Sequence, residues 1–187
     1  MENQTTQMVD MIYTLLDPKH PLVHSALPEY VDSDDLSRKD LLDNMIETMK
    51  HYGGIGLSAN QVGLPYRMFV FGDTKNYVPC FNPKITEESD VIIPIEEGCL
   101  SYPGLFVKIH RPDRISVEFE DENGELHKEE MEGLMCRVFQ HEMDHMDGID
   151  FTSRAKKMHL DMAKRKVKRG KLKLKRAHGK DMLARAS

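Results

Sequence analysis

The sequence predicts an α+β fold, with helices bracketing antiparallel strands. Three observations carry that expectation. Apolar residues recur at helical spacing after Ser37 and again after Gly133. Alternating apolar residues flank an Asn-Gly pair at 123–124, the pattern of a β-hairpin. The run MFVF at 68–71 reads as a buried strand.

In chain order, residues 8–16 (MVDMIYTLL) form a short amphipathic segment that stops at Asp17-Pro18. Pro18, Pro21 and Pro28 then keep 17–33 irregular, since proline removes a donor and fixes φ. Ser37 is a polar cap for the first helix, with Asp40 at its third position. Leu41, Leu42, Met45, Ile46 and Met49 form its apolar face, and Tyr52-Gly53-Gly54 ends it. A stretch rich in glycine and small residues, GIGLSANQVG, occupies 54–63. After the strand at 68–71, a second is expected at 91–95, broken by Pro94. Ile115, Val117 and Phe119 alternate with polar residues, the chain turns through 122–125, and 126–131 returns. The last helix of the body runs from Gly133 to about Met146 and ends at Gly148. Leu134, Val138, His141 and His145 recur on one of its faces, which should point inward.

With 187 residues there is room for one ordinary domain. The formal charge of −5 hides a polarity. Residues 154–187 carry fourteen Lys/Arg against two acids, a net +12, which leaves −17 for residues 1–153. The expected division is therefore a body, 1–153, and a basic tail, 154–187, helical at first and interrupted by Gly170 and Gly179. Mean hydropathy is −0.53, and no stretch approaches the ~20 apolar residues of a membrane span. The N-terminus lacks a basic region before an apolar core, so no secretory leader is expected. Three cysteines cannot build a disulfide scaffold and suit a reducing compartment. Composition thus points to an intracellular, cytoplasmic protein with no membrane partner.

The strongest chemical signal is His141-Glu142-Met143-Asp144-His145. Two histidines four apart lie one helical turn above each other and can hold one metal ion, with the glutamate beside it to handle protons. The alternative is a surface helix with two solvated histidines, but their stripe also carries Leu134 and Val138. A third ligand is needed. Position 151 is Phe where one protease pattern wants histidine, and no Glu follows it. Asp161 is a weak alternative in a charged run. Cys136 lies about 140° around the helix from His141 and should point away, and Cys80 reads as buried filler. Cys99, beside Gly98 in Glu96-Glu97-Gly98-Cys99-Leu100-Ser101, completes a thiolate and two-imidazole set with one position open to water. Asp144 is expected to face solvent, and Gln140 to orient a neighbour.

GIGLSANQ (54–61), EGCLS (97–101) and QHEMDH (140–145) follow in this order, and together they resemble the three signature motifs of the peptide deformylases. The resemblance spans roughly residues 15–155. It implies antiparallel sheets around a buried HExxH helix, and removal of the formyl group from the N-terminal formyl-methionine of new polypeptides. It implies Glu142 as the proton-transfer residue, with the Gln61 side chain and the Leu100 N–H as oxyanion donors. Ile55, Gly56 and Gly98 would lie along the peptide backbone, and Ile55, Leu134 and Val138 around the methionine side chain. The metal implied is one divalent ion, ferrous iron in the cell, with zinc, nickel or cobalt able to occupy the same ligands. Ser58 stands where alanine is commoner in the motif, a change that adds only a hydroxyl.

Two other readings remain at this level. A peptide-bond metalloprotease shares HExxH, and a non-catalytic RNA-binding protein would explain the tail. A net +12 over 34 residues suits ribosomal RNA, with salt-sensitive, sequence-independent affinity. Neither the tail nor the body carries a signal for DNA.

Overall fold

A computed structural model describes residues 11–33, 37–73 and 76–170. The start of the 8–16 segment and the KLKLKR stretch at 171–176 lie outside them. Helix α1 (Arg38–Tyr52) begins where Ser37 Oγ accepts from the Asp40 N–H at 3.1 Å. It ends at Gly53, whose φ of 69° is a left-handed conformation open to glycine at little cost. Both ends fall where the sequence puts them.

Seven strands follow: β1 (Gly56–Ser58), β2 (Met68–Gly72), β3 (Tyr77–Glu88), β4 (Ile92–Gly98), β5 (Phe106–Pro112), β6 (Arg114–Glu120) and β7 (Leu126–Glu132). All pairings are antiparallel, in a five-stranded sheet ordered β1-β2-β3-β6-β7 and a separate β4-β5 ladder. Helix α2 (Gly133–Met146) comes next, and α3 spans 157–170. This is the α+β architecture expected, with the HExxH helix buried.

Strand β2 is apolar throughout because both of its faces are covered. Met68 and Val70 join Leu41, Met45 and Met49 of α1, while Phe69 and Phe71 face Phe139 and Val138 of α2. Phe139 meets Phe69 edge-on at 5.0 Å and Phe71 at 5.9 Å. The sheet is thus the middle layer between two helices. On the far side of α2, Val107 and Ile109 of β5 cluster with Leu105 and Phe151, and Leu160, Ala163 and Val167 of α3 pack against them.

Some elements depart from the sequence reading. Residues 11–17 form no regular element; they are tied down by Tyr13 N–H to Thr48 Oγ1 (2.9 Å) and Leu16 N–H to the Gln61 carbonyl (2.8 Å). Pro94 does not break β4, which pairs with β5 from Ile92 through Gly98. Its only strand partner among the described residues is β5, and an edge strand tolerates a proline that donates nothing. Strand β3 escapes a pattern search because it contains two prolines, register shifts and Asn82 at φ 51°. Strand β5 alternates cleanly, but its third inward residue is Arg111, so it lacks an apolar signature.

Phe139→Ala removes the ring that joins α2 to β2. We expect it to lower the unfolding free energy by about 3–5 kcal/mol, read from urea denaturation of the metal-loaded protein. A loss below about 1 kcal/mol would mean that the layers close around the gap.

Candidate active site and metal centre

Eleven consecutive residues of α2, Cys136 to Met146, are buried. Six of them are polar or charged, and such groups need partners when water is excluded. The partners define the site. Glu97, at the end of β4, accepts from Arg111 Nε (2.7 Å) and Nη2 (2.9 Å), Arg137 Nη1 (3.0 Å) and His141 Nδ1 (3.0 Å). Burial would raise its carboxyl, but the bonds from His141 and Arg111 hold it at about 2. An ionised acceptor at Nδ1 means that this nitrogen carries a hydrogen, so Nε2 is the His141 nitrogen left to meet a ligand.

Asp144 is also buried, at 4% exposure, and does not face solvent as its sequence position suggested. It binds Arg111 Nη1 at 2.8 Å and Arg154 Nη2 at 2.6 Å. From Cys136 onward the helix has no solvated face to offer it. Gln140 does orient neighbours: its amide donates to the carbonyls of Pro112 (3.0 Å) and Cys136 (3.2 Å). Leu134 departs from the inward stripe. It is 62% exposed and stands at the mouth of the cleft, while Val138, His141 and His145 are buried.

Cys99 follows the last residue of β4, and its Sγ lies 3.3 Å from His145 Nε2. The ligand atoms of Cys99, His141 and His145 all fall within 4.8 Å of one another. Burial holds His145 well below the ordinary histidine range, so it is neutral and able to ligate. Burial pulls His141 down as well, yet hydrogen bonds with Cys99 and Glu97 outweigh it and hold the imidazole up at about 10, so a metal at Nε2 would displace a proton there. One thiol and two imidazoles, converging from a helix and a strand end, fit a divalent transition metal.

Glu142 is buried beside this cluster, and burial pushes its carboxyl above the usual range. The His141 charge, the Ser58 hydroxyl and Arg111 oppose that shift. Gln61 accepts the Ser58 N–H at Oε1 (3.0 Å), which fixes its amide orientation. Its Nε2 donates to Cys99 Sγ (3.3 Å) and Ser101 Oγ (3.0 Å). Asn60 Nδ2 donates to the His145 carbonyl at 2.7 Å, joining the glycine-rich segment to the end of α2.

These groups open onto a cleft of about 740 Å³. It is lined by Ile55, Gly56, Gln61, Gly98, Cys99, Leu100, Leu134, Val138, His141 and Glu142, with His145 buried behind. Gly98 packs close under the Phe106 ring, where a Cβ would lie 2.7 Å from Cε1. Sequence reasoning missed Glu97, Arg111 and Arg137. Glu97 sits inside the EGCLS motif, so a signal was present, but its role depends on guanidinium groups from β5 and α2 that only folding brings to it.

A buried helix bearing two histidines and a glutamate, with a cysteine delivered from a strand end, is the layout of a metal-dependent hydrolase. Residues 12–161 match the polypeptide deformylase family. The chain is 46% identical over 127 residues to the peptide deformylase of Thermotoga maritima, covering 66% of this chain and 77% of that one. The crystal structure of a peptide deformylase from the same organism superposes with a TM-score of 0.73 at 38% identity, covering 78% of this chain and 98% of that one. A Met-Ala-Ser-bound class I type b peptide deformylase from Acinetobacter baumannii gives 0.72 at 26% identity, over 78% of this chain and 99% of that one. The chain belongs to the peptide deformylase family.

Removing Glu97 leaves Arg137 buried without its carboxylate and Arg111 with Asp144 alone, and frees the His141 ring. Glu97→Ala should weaken metal affinity about 10–100-fold, measured by competition with a chromogenic chelator. Unchanged affinity would show that His141 is held by its helix alone.

Proposed function

We propose that the cleft hydrolyses the formyl amide at the N-terminal formyl-methionine of new polypeptides through Glu142, beside a divalent metal held by Cys99, His141 and His145. The observation that carries the assignment of residues is the convergence of Cys99 Sγ and His145 Nε2 at 3.3 Å next to a buried carboxylate on the same helix. When bound, the metal supplies Lewis acidity and lowers the pKa of a water ligand.

This chain's own groups do the rest. Water oxygen bonds to the formyl carbon, the carbon–nitrogen bond breaks, and formate and a free amine leave. Glu142 takes the proton of the attacking water and passes it to the departing amine. A carboxyl raised by burial is suited to both halves of that transfer. The developing oxyanion takes donors from Gln61 Nε2 and the Leu100 N–H. The Gln61 amide already points at Cys99 and Ser101, so turning from sulfur to substrate is a small movement.

The peptide backbone runs past Ile55, Gly56 and Gly98, and the methionine side chain enters between Ile55, Leu134 and Val138. These residues line one cleft, and the Acinetobacter relative carries Met-Ala-Ser. Iron is the proposed cellular metal; zinc, nickel or cobalt would suit the same donors. A peptide-bond metalloprotease would act on unblocked peptides, which a paired substrate assay distinguishes.

We propose further that residues 154–187 bring the cytoplasmic enzyme to ribosomal RNA. Helix α3 buries Leu160, Ala163 and Val167 against the body and exposes Lys157, Lys164, Arg165, Lys166, Lys168 and Arg169. The proposed boundary at 153/154 is therefore one of charge, since α3 is seated on the body. No helix among the described residues is long and apolar enough to cross a membrane.

Glu142→Ala should retain its metal while kcat for formate release from a formyl-Met peptide falls about 10²–10⁴-fold. Cys99→Ser should lose metal in the same preparation, read by elemental analysis. Full-length protein with Lys164, Arg165, Lys168 and Arg169 all changed to Gln should co-sediment less with ribosomes at low salt, and the difference should vanish as salt rises. Equal sedimentation at every salt would remove the RNA role.

A further inference from the structure

The reading of Glu142 as the proton-transfer group leaves open what holds its carboxylate still. Glu142 is the only carboxylate on α2 that lines the cleft, and its partners come from β1 rather than from the Arg111–Glu97–Asp144 network. Ser58 Oγ donates to Glu142 Oε2 at 2.6 Å, and both residues are buried. The same hydroxyl lies at 3.5 Å from the Glu142 carbonyl, a far weaker contact.

Strand β1 contributes twice. Gly56 and Ser58 are two apart and so lie on one face of the strand. A Cβ at Gly56 would collide with Glu142 Oε1, lying also 3.0 Å from its Cδ and 2.9 Å from Val138 Cγ1. One carboxylate oxygen thus rests against a bare glycine, and the other accepts a hydroxyl. The strand itself is fixed by its pairing with β2, Gly56 opposite Phe71 and Ser58 opposite Phe69. The Ser58 N–H is bound to Gln61 Oε1, so the hydroxyl sits on backbone held from both sides.

We propose that Ser58 is a positioning residue for Glu142: its hydroxyl fixes the rotation of the carboxylate so that Oε1 is presented to the cleft. The inference rests on the role given to Glu142 above. A terminal carboxylate torsion is broad and two-fold when nothing restrains it. A charge-assisted hydrogen bond of this length is strong enough to select one orientation. With alanine at 58 the carboxylate keeps its place on α2 but loses its only side-chain donor among the described residues. That loss falls on the proton-transfer step. It does not touch the cleft wall that binds peptide or the ligands that hold metal.

The test is a double-mutant cycle on full-length, metal-loaded protein, following formate release from formyl-Met-Ala-Ser. Ser58→Ala is expected to lower kcat about tenfold, with KM changed less than about twofold and metal content unchanged. In a Glu142→Asp background the shortened carboxylate no longer reaches the hydroxyl, so adding Ser58→Ala should change the residual kcat less than about twofold. Full kcat in Ser58→Ala would overturn the proposal. So would equal losses in both backgrounds, which would mark a general packing effect, or a loss confined to KM. Failure of the wild type to release formate would instead overturn the reading on which it rests, and the proposal with it.

Discussion

Everything in this protein follows from burying α2 on all sides. From Cys136 onward the helix, covered by the five-stranded sheet and the β4-β5 ladder, has no solvent face, yet it carries Arg137, Gln140, His141, Glu142, Asp144 and His145. Each buried polar group must meet a partner or remain at high cost. The surrounding elements are built around supplying them. Strand β4 carries Glu97 near its end and leads into Cys99, β5 sends Arg111 inward, β1 brings Ser58, and Arg154 closes over Asp144.

Two kinds of partner result, and they do different work. On one side of α2, arginines and carboxylates form a continuous chain of ion pairs, Arg154–Asp144–Arg111–Glu97–His141. Buried ion pairs contribute little net stability, but losing one member strands a charge. Their effect here is geometric, fixing the His141 ring through its Nδ1. On the other side, β1 and its following turn meet α2 with small or neutral groups, leaving the cleft mostly apolar. The cleft is therefore walled by hydrophobic residues while its floor is polar. That arrangement sets apolar walls beside groups able to carry protons, as the proposed reaction requires.

The polarity of charge along the chain is consistent with this division. The acidic body contains every residue that lines the cleft, and α3 presents its bases outward while its apolar stripe joins the core under β5. The start of the basic segment is thus a structural part of the body. Arg154 illustrates the point: it belongs to the basic run by sequence and to the Asp144 ion pair by structure.

Much of this was legible beforehand. The helix ends at Ser37 and Gly53, the hairpin around Asn123-Gly124 and the extent of α2 rest on short-range chemistry, in which a cap, a turn or a 3.6-residue period is written locally. The three residues proposed to hold metal stood out in the sequence for the same reason, since His141 and His145 are one helical turn apart and Cys99 stands in a distinctive motif. What was not legible depends on contacts distant in sequence. Leu134 follows the helical stripe but lies beyond the edge of what covers α2, so it is exposed; Asp144 looks like a surface residue until Arg111 and Arg154 fold onto it. Ser58 shows the difference most directly. Sequence registers only an added hydroxyl, and 84 residues of intervening chain must fold before that hydroxyl meets Glu142. The sequence by itself determined which groups could do chemistry and which local elements carry them. The tertiary structure decided which of those groups touch, because burial of α2 forces partnerships that no local pattern encodes.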